Sequence, residues 1–161
     1  MKYHLAELEI VERPEYAQQD PSGKALAHRF LGLCYAELGR YVEALKHHRE
    51  HYEWAVNLNL KAEVQRGLCN IGVVLLERAQ SEAARSDDAE QALNYFKESL
   101  QAARVLPLVD ERSAQDRTRK GVEAYKAVTR SERREMVINA FNNMGNACAI
   151  MGDYRQSIKF L

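Results

Sequence analysis

Apolar residues recur along this chain at intervals of three and four, with alanine, glutamate, lysine, glutamine and arginine filling most positions between them. These residue types lose little conformational freedom on entering a helix, so pattern and propensity agree on an all-α chain. No stretch of useful length alternates apolar with polar as a half-buried strand would. The three prolines, Pro14, Pro21 and Pro107, fall between periodic segments, where a missing N–H interrupts no helix.

Aligning the glycines exposes a repeat. "FLGLCYAELGRYVEAL" (Phe30–Leu45), "NIGVVLL" (Asn70–Leu76) and "NMGNACAIMGDYRQSI" (Asn143–Ile158) each place an apolar residue before a glycine. In the first, Gly32 is followed by Tyr35, Gly39, Tyr41 and Ala44; in the third, Gly145 is followed at the same spacings by Cys148, Gly152, Tyr154 and Ser157. The second resumes after an interruption at "QALNYF", with Ala92 and Phe96. This is the tetratricopeptide pattern L-G-x2-Y … A-x3-F. The glycine and the small alanine or serine let the two helices of a repeat approach closely, and the larger residues fill the gap between repeats. Gly39 and Gly152 are expected to end their helices in the left-handed conformation. The spacing predicts a right-handed α-solenoid of antiparallel helix pairs, with about six or seven helices.

The chain divides accordingly as one tetratricopeptide-repeat domain over residues 1–161. Residues 1–12 read as the end of a preceding, partial repeat, 24–57 as repeat one and 61–106 as repeat two. Glycine to alanine is 12 residues in repeat one and 20 in repeat two, so the latter carries an eight-residue insertion near "QSEAARSD". Residues 107–133 read as a charged linker with one marginal helix around Val122–Val128, and 135–161 as a truncated repeat three. A solenoid normally caps such an exposed face, so the sequence reads as a fragment of something longer.

Charge narrows the functional classes. Lysine plus arginine equals aspartate plus glutamate at 23 each, which disfavours direct nucleic-acid binding, since that ordinarily needs a basic excess. "MKYHLAELEI" lacks the apolar run of a signal peptide, and "IGVVLL" (Ile71–Leu76) is far short of a membrane span. Three cysteines, Cys34, Cys69 and Cys148, form no CxxC and suggest reduced thiols in a cytosolic or nuclear protein.

One stretch imitates chemistry. "HHREH" (His47–His51) matches H-x-x-E-H, a zinc-hydrolase signature, and on a helix its two end histidines lie about 40° apart around the axis. In the repeat register, however, His48 takes the position of Phe96 and faces the first helix of its repeat, with His51 a turn further along the same seam and His47 turned outward. A further ligand and an open cleft are not evident, so helix packing is the favoured reading. The cysteines sit near the repeat glycines, where a buried, inert thiol fits. No phosphate loop, dinucleotide fingerprint or serine elbow occurs. The expectation is a protein that is not an enzyme and takes no cofactor or metal.

Binding would fall in the concave groove lined by the first helix of each repeat. Counting the glycine as position eight, groove positions include Arg29 and Glu37 in repeat one, and Arg66, Asn70, Leu76 and Glu77 in repeat two. Repeat three supplies Asn139, Asn142, Asn143 and Asn146. Asparagine is disfavoured inside helices because its amide competes with the backbone, so four on one face call for a reason. An amide offers both a donor and an acceptor, which suits gripping an extended peptide whatever its sequence, a role expected of Asn70, Asn143 and Asn146 ahead of Asn139 and Asn142. Some of the four could instead cross-link neighbouring helices. Glu37 and Glu77 suit a basic peptide; Arg29 and Arg66 favour an acidic one, or pair with those glutamates.

Residues 27–161 resemble, beyond the generic repeat, the amino-terminal tetratricopeptide region of the Tonsoku-like family. The resemblance is carried by "AHRFLGLCYAELGRYVEAL", by "EVQRGLCNIG" (Glu63–Gly72), and by the elongated turn before "ALNYFKESL". It implies a nuclear scaffold at damaged replication forks that recognises histones of newly replicated chromatin and promotes homologous recombination. It also implies a histone tail as partner of the groove. Functions of that family's ankyrin and leucine-rich repeats do not transfer to this sequence. The alternative is a cytoplasmic adaptor of the Pins or kinesin-light-chain kind, whose repeats are also about 40 residues long, the separation of Gly32 and Gly72. Either reading leaves the chain without nucleic acid or membrane as a direct partner.

Overall fold

The computed structural model describes residues 21–110 and 127–160, which contain six α-helices and no strands. They are α1 (Pro21–Glu37), α2 (Tyr41–Asn57), α3 (Lys61–Ala79), α4 (Asp88–Arg104), α5 (Arg130–Ile150) and α6 (Tyr154–Phe160). Each helix packs against the next, and α3 also touches α5, so the chain is an all-α helical-repeat solenoid. The segment read as a preceding partial repeat, 1–12, lies outside the described residues.

Helix pairs meet where the sequence removes a side chain. A Cβ on Gly32 would lie 2.5 Å from Cε1 of His48, and one on Gly72 would lie 2.6 Å from Cε1 of Phe96. Both rings are fully buried. His48 and Phe96 are therefore structural equivalents, each filling the hollow over a repeat glycine. The Phe96 seam belongs to the main core, which runs from Ala44 and Leu45 through Ile71, Leu75 and Leu100 to Met144 and Cys148.

The turns stop the helices by backbone geometry. Gly39 has φ +68° and Gly152 φ +78°, and the following N–H groups reach back, Arg40 to the Tyr35 carbonyl and Asp153 to that of Cys148, each at 2.9 Å. Asn59 does the same work after α2 at φ +54°, with Leu60 N–H donating to the Ala55 carbonyl at 2.9 Å. Between α3 and α4 the eight residues 80–87 are tied by a buried ion pair: Arg78 Nε donates to Asp88 Oδ2 at 2.9 Å. The same oxygen accepts the Arg85 N–H at 2.8 Å, so one carboxylate pins both ends of the loop.

The segment 107–133 departs from a plain linker at both ends. Val109 N–H donates to the Val128 carbonyl at 3.0 Å and Val128 N–H to the Pro107 carbonyl at 2.9 Å, forming a single parallel bridge between Leu108 and Val128. Val128 is thus extended rather than helical, and it is buried with Ala62 and Leu106; residues 122–126 of the expected marginal helix lie outside the described residues. Helix α5 begins at Arg130, five residues before Glu135. Thr129 Oγ1 accepts the Glu132 N–H at 3.1 Å while the Glu132 carboxylate accepts the Thr129 N–H at 2.7 Å, a capping box that starts the helix early.

Candidate peptide-binding groove

Helices α1, α3 and α5 carry the residues at the groove positions, and none of the nine polar candidates is buried. Glu37, Glu77, Asn139, Asn142 and Asn146 are exposed; Arg29, Arg66, Asn70 and Asn143 are half-buried. Leu76 is a correction: it is buried in the main core, because α3 has neighbours on both sides and little of its surface remains for a groove.

The charges are arranged differently from expectation. Arg29 and Arg66 pair with neither Glu37 nor Glu77. Both converge on Glu63, which is 1% exposed: Arg29 Nη1 donates to Oε2 at 3.2 Å, and Arg66 is bonded to Oε1. His51 Nε2 also donates to Oε2, at 3.1 Å, so α1, α2 and α3 meet at one carboxylate. Burial alone would raise this carboxyl, but the His51 hydrogen bond and the charges of Arg66 and Arg29 bring it down to about 2. One buried carboxylate thus holds two of the arginines at groove positions, both half-buried, while Glu37 and Glu77 stay exposed. Burial and the charge of Glu37 push the Glu77 carboxyl up, so those two carboxylates lie within each other's field. A cation between them would relieve the repulsion.

The asparagines separate into distinct settings. Asn70 and Asn139 line one cleft of about 350 Å³ between α3 and α5, together with Gln65, Arg66, Cys69, Glu132, Glu135 and Met136. Asn143 turns an amide donor toward Cys69 Sγ at 3.9 Å, a cross-link between α3 and α5. Asn142 and Asn146 do not line that cleft. Cys34 and Cys69 are half-buried rather than enclosed, Cys69 in the wall of that cleft, whereas Cys148 is buried. Burial pushes the Cys69 thiol up, and burial with the Asp153 charge does the same to Cys148, the wrong direction for a nucleophile.

"HHREH" resolves into separate jobs. His47 shares a hydrogen bond with His28 at 3.0 Å and stacks on Tyr35, ring centroids 5.3 Å apart. His48 fills the hollow over Gly32, and burial, with His51, His47 and Arg29 nearby, lowers its imidazole to about 3. His51 serves Glu63. Among the described residues no group of three or more histidine, cysteine, aspartate or glutamate side chains is placed to hold a metal ion.

Over 148 residues the sequence is 30% identical to the Tonsoku-like protein of Mus musculus, a match that covers 92% of this chain. The chain is related to the Tonsoku-like proteins. The Tonsoku-like protein of Bos taurus is 33% identical over 100 residues, 62% of this chain. No protein-family model matches the sequence. A match to the Mus musculus Tonsoku-like protein over 92% of the chain cannot leave out any groove helix entirely, the shortest having 17 residues. The chain spans 9% and 7% of the lengths of these two Tonsoku-like relatives.

Proposed function

We propose that this chain is a non-enzymatic interaction module that binds a lysine- and arginine-rich peptide, extended along the groove of α1, α3 and α5. The observation that carries this reading is the capture of Arg29 and Arg66 by the buried Glu63. With both arginines held by Glu63, the acidic charges offered to a ligand are Glu37, Glu77 and Glu135, which outnumber Arg66 in the cleft wall. Asn70 and Asn139, in one cleft, are the amides placed to take a peptide N–H and carbonyl. Asn142, Asn143 and Asn146 continue the polar face further along α5, with one Asn143 donor already engaged. Thiols held above their ordinary range fit a module without a nucleophile.

Kinship with the Tonsoku-like proteins supports a DNA repair scaffold, and on this reading the chain is nuclear and acts at damaged replication forks. The peptide is then the tail of a histone on newly replicated chromatin, and the outcome is promotion of homologous recombination. Calorimetric titration of a replicative histone tail peptide tests this, comparing wild type with Asn70→Ala plus Asn139→Ala. The double variant is expected to bind about tenfold or more weakly, since a desolvated peptide group loses its partner. Equal affinity for the two proteins removes the groove from the account.

A further inference from the structure

The first turns of α5 sort their charges by face. Glu132, Glu135, Met136 and Asn139 line the groove cleft, while Arg130, Arg133, Arg134 and Val137 line another, completed by Arg104 and Leu108. Four arginines thus surround an apolar floor in which Leu108 is 39% exposed. Arg133 has a structural duty, donating to the carbonyls of Arg104 at 3.1 Å and Leu106 at 3.4 Å, which closes the end of α4. Arg104 lies over the Phe141 ring. Arg104, Arg130 and Arg134 are exposed and none forms an ion pair among the described residues. The carboxylates nearby are Asp110, in the adjoining cleft, and Glu132, committed to the Thr129 N–H.

This placement runs against local electrostatics. The start of a helix carries partial positive charge and favours acidic residues, yet three arginines stand within residues 130–134. Among the described residues, Arg130 and Arg134 make no side-chain hydrogen bond that would account for them in the fold. Between the patch arginines, residues 105–129 hold five lysines and arginines and four acidic residues, so the connecting sequence carries no acidic excess.

We propose that the cleft formed by Arg104, Leu108, Arg130, Arg134 and Val137 is a second docking site, which takes an acidic peptide segment of a partner protein anchored by an aliphatic side chain. The arginines supply bidentate donors for carboxylates. Leu108 and Val137 supply the apolar seat, which a nucleic-acid backbone would leave unused. The site is separate from the groove, so one module would hold two peptides of opposite charge on two faces of α5.

The test is fluorescence anisotropy with the 161-residue chain and a labelled octapeptide, Asp-Glu-Asp-Leu-Leu-Glu-Asp-Glu. Micromolar binding is expected, weakened about tenfold by Arg130→Ala plus Arg134→Ala and left unchanged by Asn70→Ala plus Asn139→Ala. A peptide with both leucines replaced by serine should bind wild type about fivefold more weakly. That comparison needs no protein variant and stands even where the arginine variant does not fold. Absence of binding, equal affinity of the serine peptide, or an arginine variant that binds as well as wild type overturns the proposal. Tighter binding of a twelve-nucleotide oligothymidylate than of the peptide also overturns it, and assigns the patch to nucleic acid.

Discussion

Arg29 on α1 donates to Glu63 on α3 at 3.2 Å, so a groove arginine is neutralised from beneath by a carboxylate 34 residues along the chain. Arg66 and His51 join the same carboxylate, so two of the groove-position arginines are tied to one buried glutamate, and the proposed peptide site leaves Glu37 and Glu77 exposed.

Replacing Glu63 with glutamine should therefore cost stability. Its carboxyl sits at about 2 in the folded chain, below the ordinary carboxylate value, so its contribution is present above about pH 4.5 and is lost as pH falls toward 2. Glu63→Gln is expected to lower the unfolding free energy by about 3 kcal/mol at pH 7, with two arginines left uncompensated. Urea unfolding measures this, and a loss below about 0.5 kcal/mol would contradict the hub.

His48 predicts a second pH dependence with its own window. Its folded value of about 3 lies below the ordinary 6.5, so the unfolded chain takes up a proton that the folded chain refuses. Stability contributed by neutral His48 is complete above about pH 6.5 and declines as pH falls toward 3, by about 2 kcal/mol at pH 5. His48→Phe, which copies Phe96, should flatten the stability profile between pH 6.5 and 5. An unchanged slope in that range would show that other groups carry it.

The two kinds of glycine should respond differently to alanine. At Gly72 the new Cβ would meet Phe96 at 2.6 Å, and the buried ring has nowhere to move, so a loss of about 2 kcal/mol is expected. At Gly39 nothing lies within 4 Å, and the cost is the backbone's alone, about 1 kcal/mol at φ +68°. Thermal melting of both variants checks the order; a larger loss at Gly39 would reverse the packing argument.

"HHREH" is expected to bind no zinc. His47 is engaged with His28 and Tyr35, and His51 with Glu63, so the two end imidazoles serve different neighbours. Elemental analysis after dialysis should find well below one zinc per chain, and chelator should leave the melting temperature unchanged. One tightly held equivalent would overturn this.

Much of the fold was legible because a repeat writes its packing into glycine spacing. Gly32 and Gly72 located the seams, the register placed His48 opposite Gly32, and Gly39 and Gly152 marked the helix ends. Asn59 was missed because asparagine signals a left-handed turn less strongly than glycine does. Helix α5 starts at Arg130 on a Thr129-x-x-Glu132 signature that was visible but masked by charge-rich neighbours that resemble a loop. For the groove, repeat position told which face a residue shares, not which charge it meets. Glu63 is separated from Arg29 by 34 residues and lies beneath the groove positions, so no count from the glycine would pair them. The same limit hid Leu76, whose burial depends on both neighbours of α3, and the split of the asparagines between cleft and cross-link.

The central claim, that the groove presents acidic charge to a basic peptide, is tested most directly by titrating one histone tail peptide into wild type and Glu37→Gln plus Glu77→Gln at low and moderate salt. Both glutamates are exposed, so the variant should fold as wild type does. The account predicts about tenfold weaker binding for the variant at low salt, with a gap that narrows as salt rises. Equal affinity at low salt, or a wild type that prefers the charge-inverted acidic peptide in this groove, would contradict it.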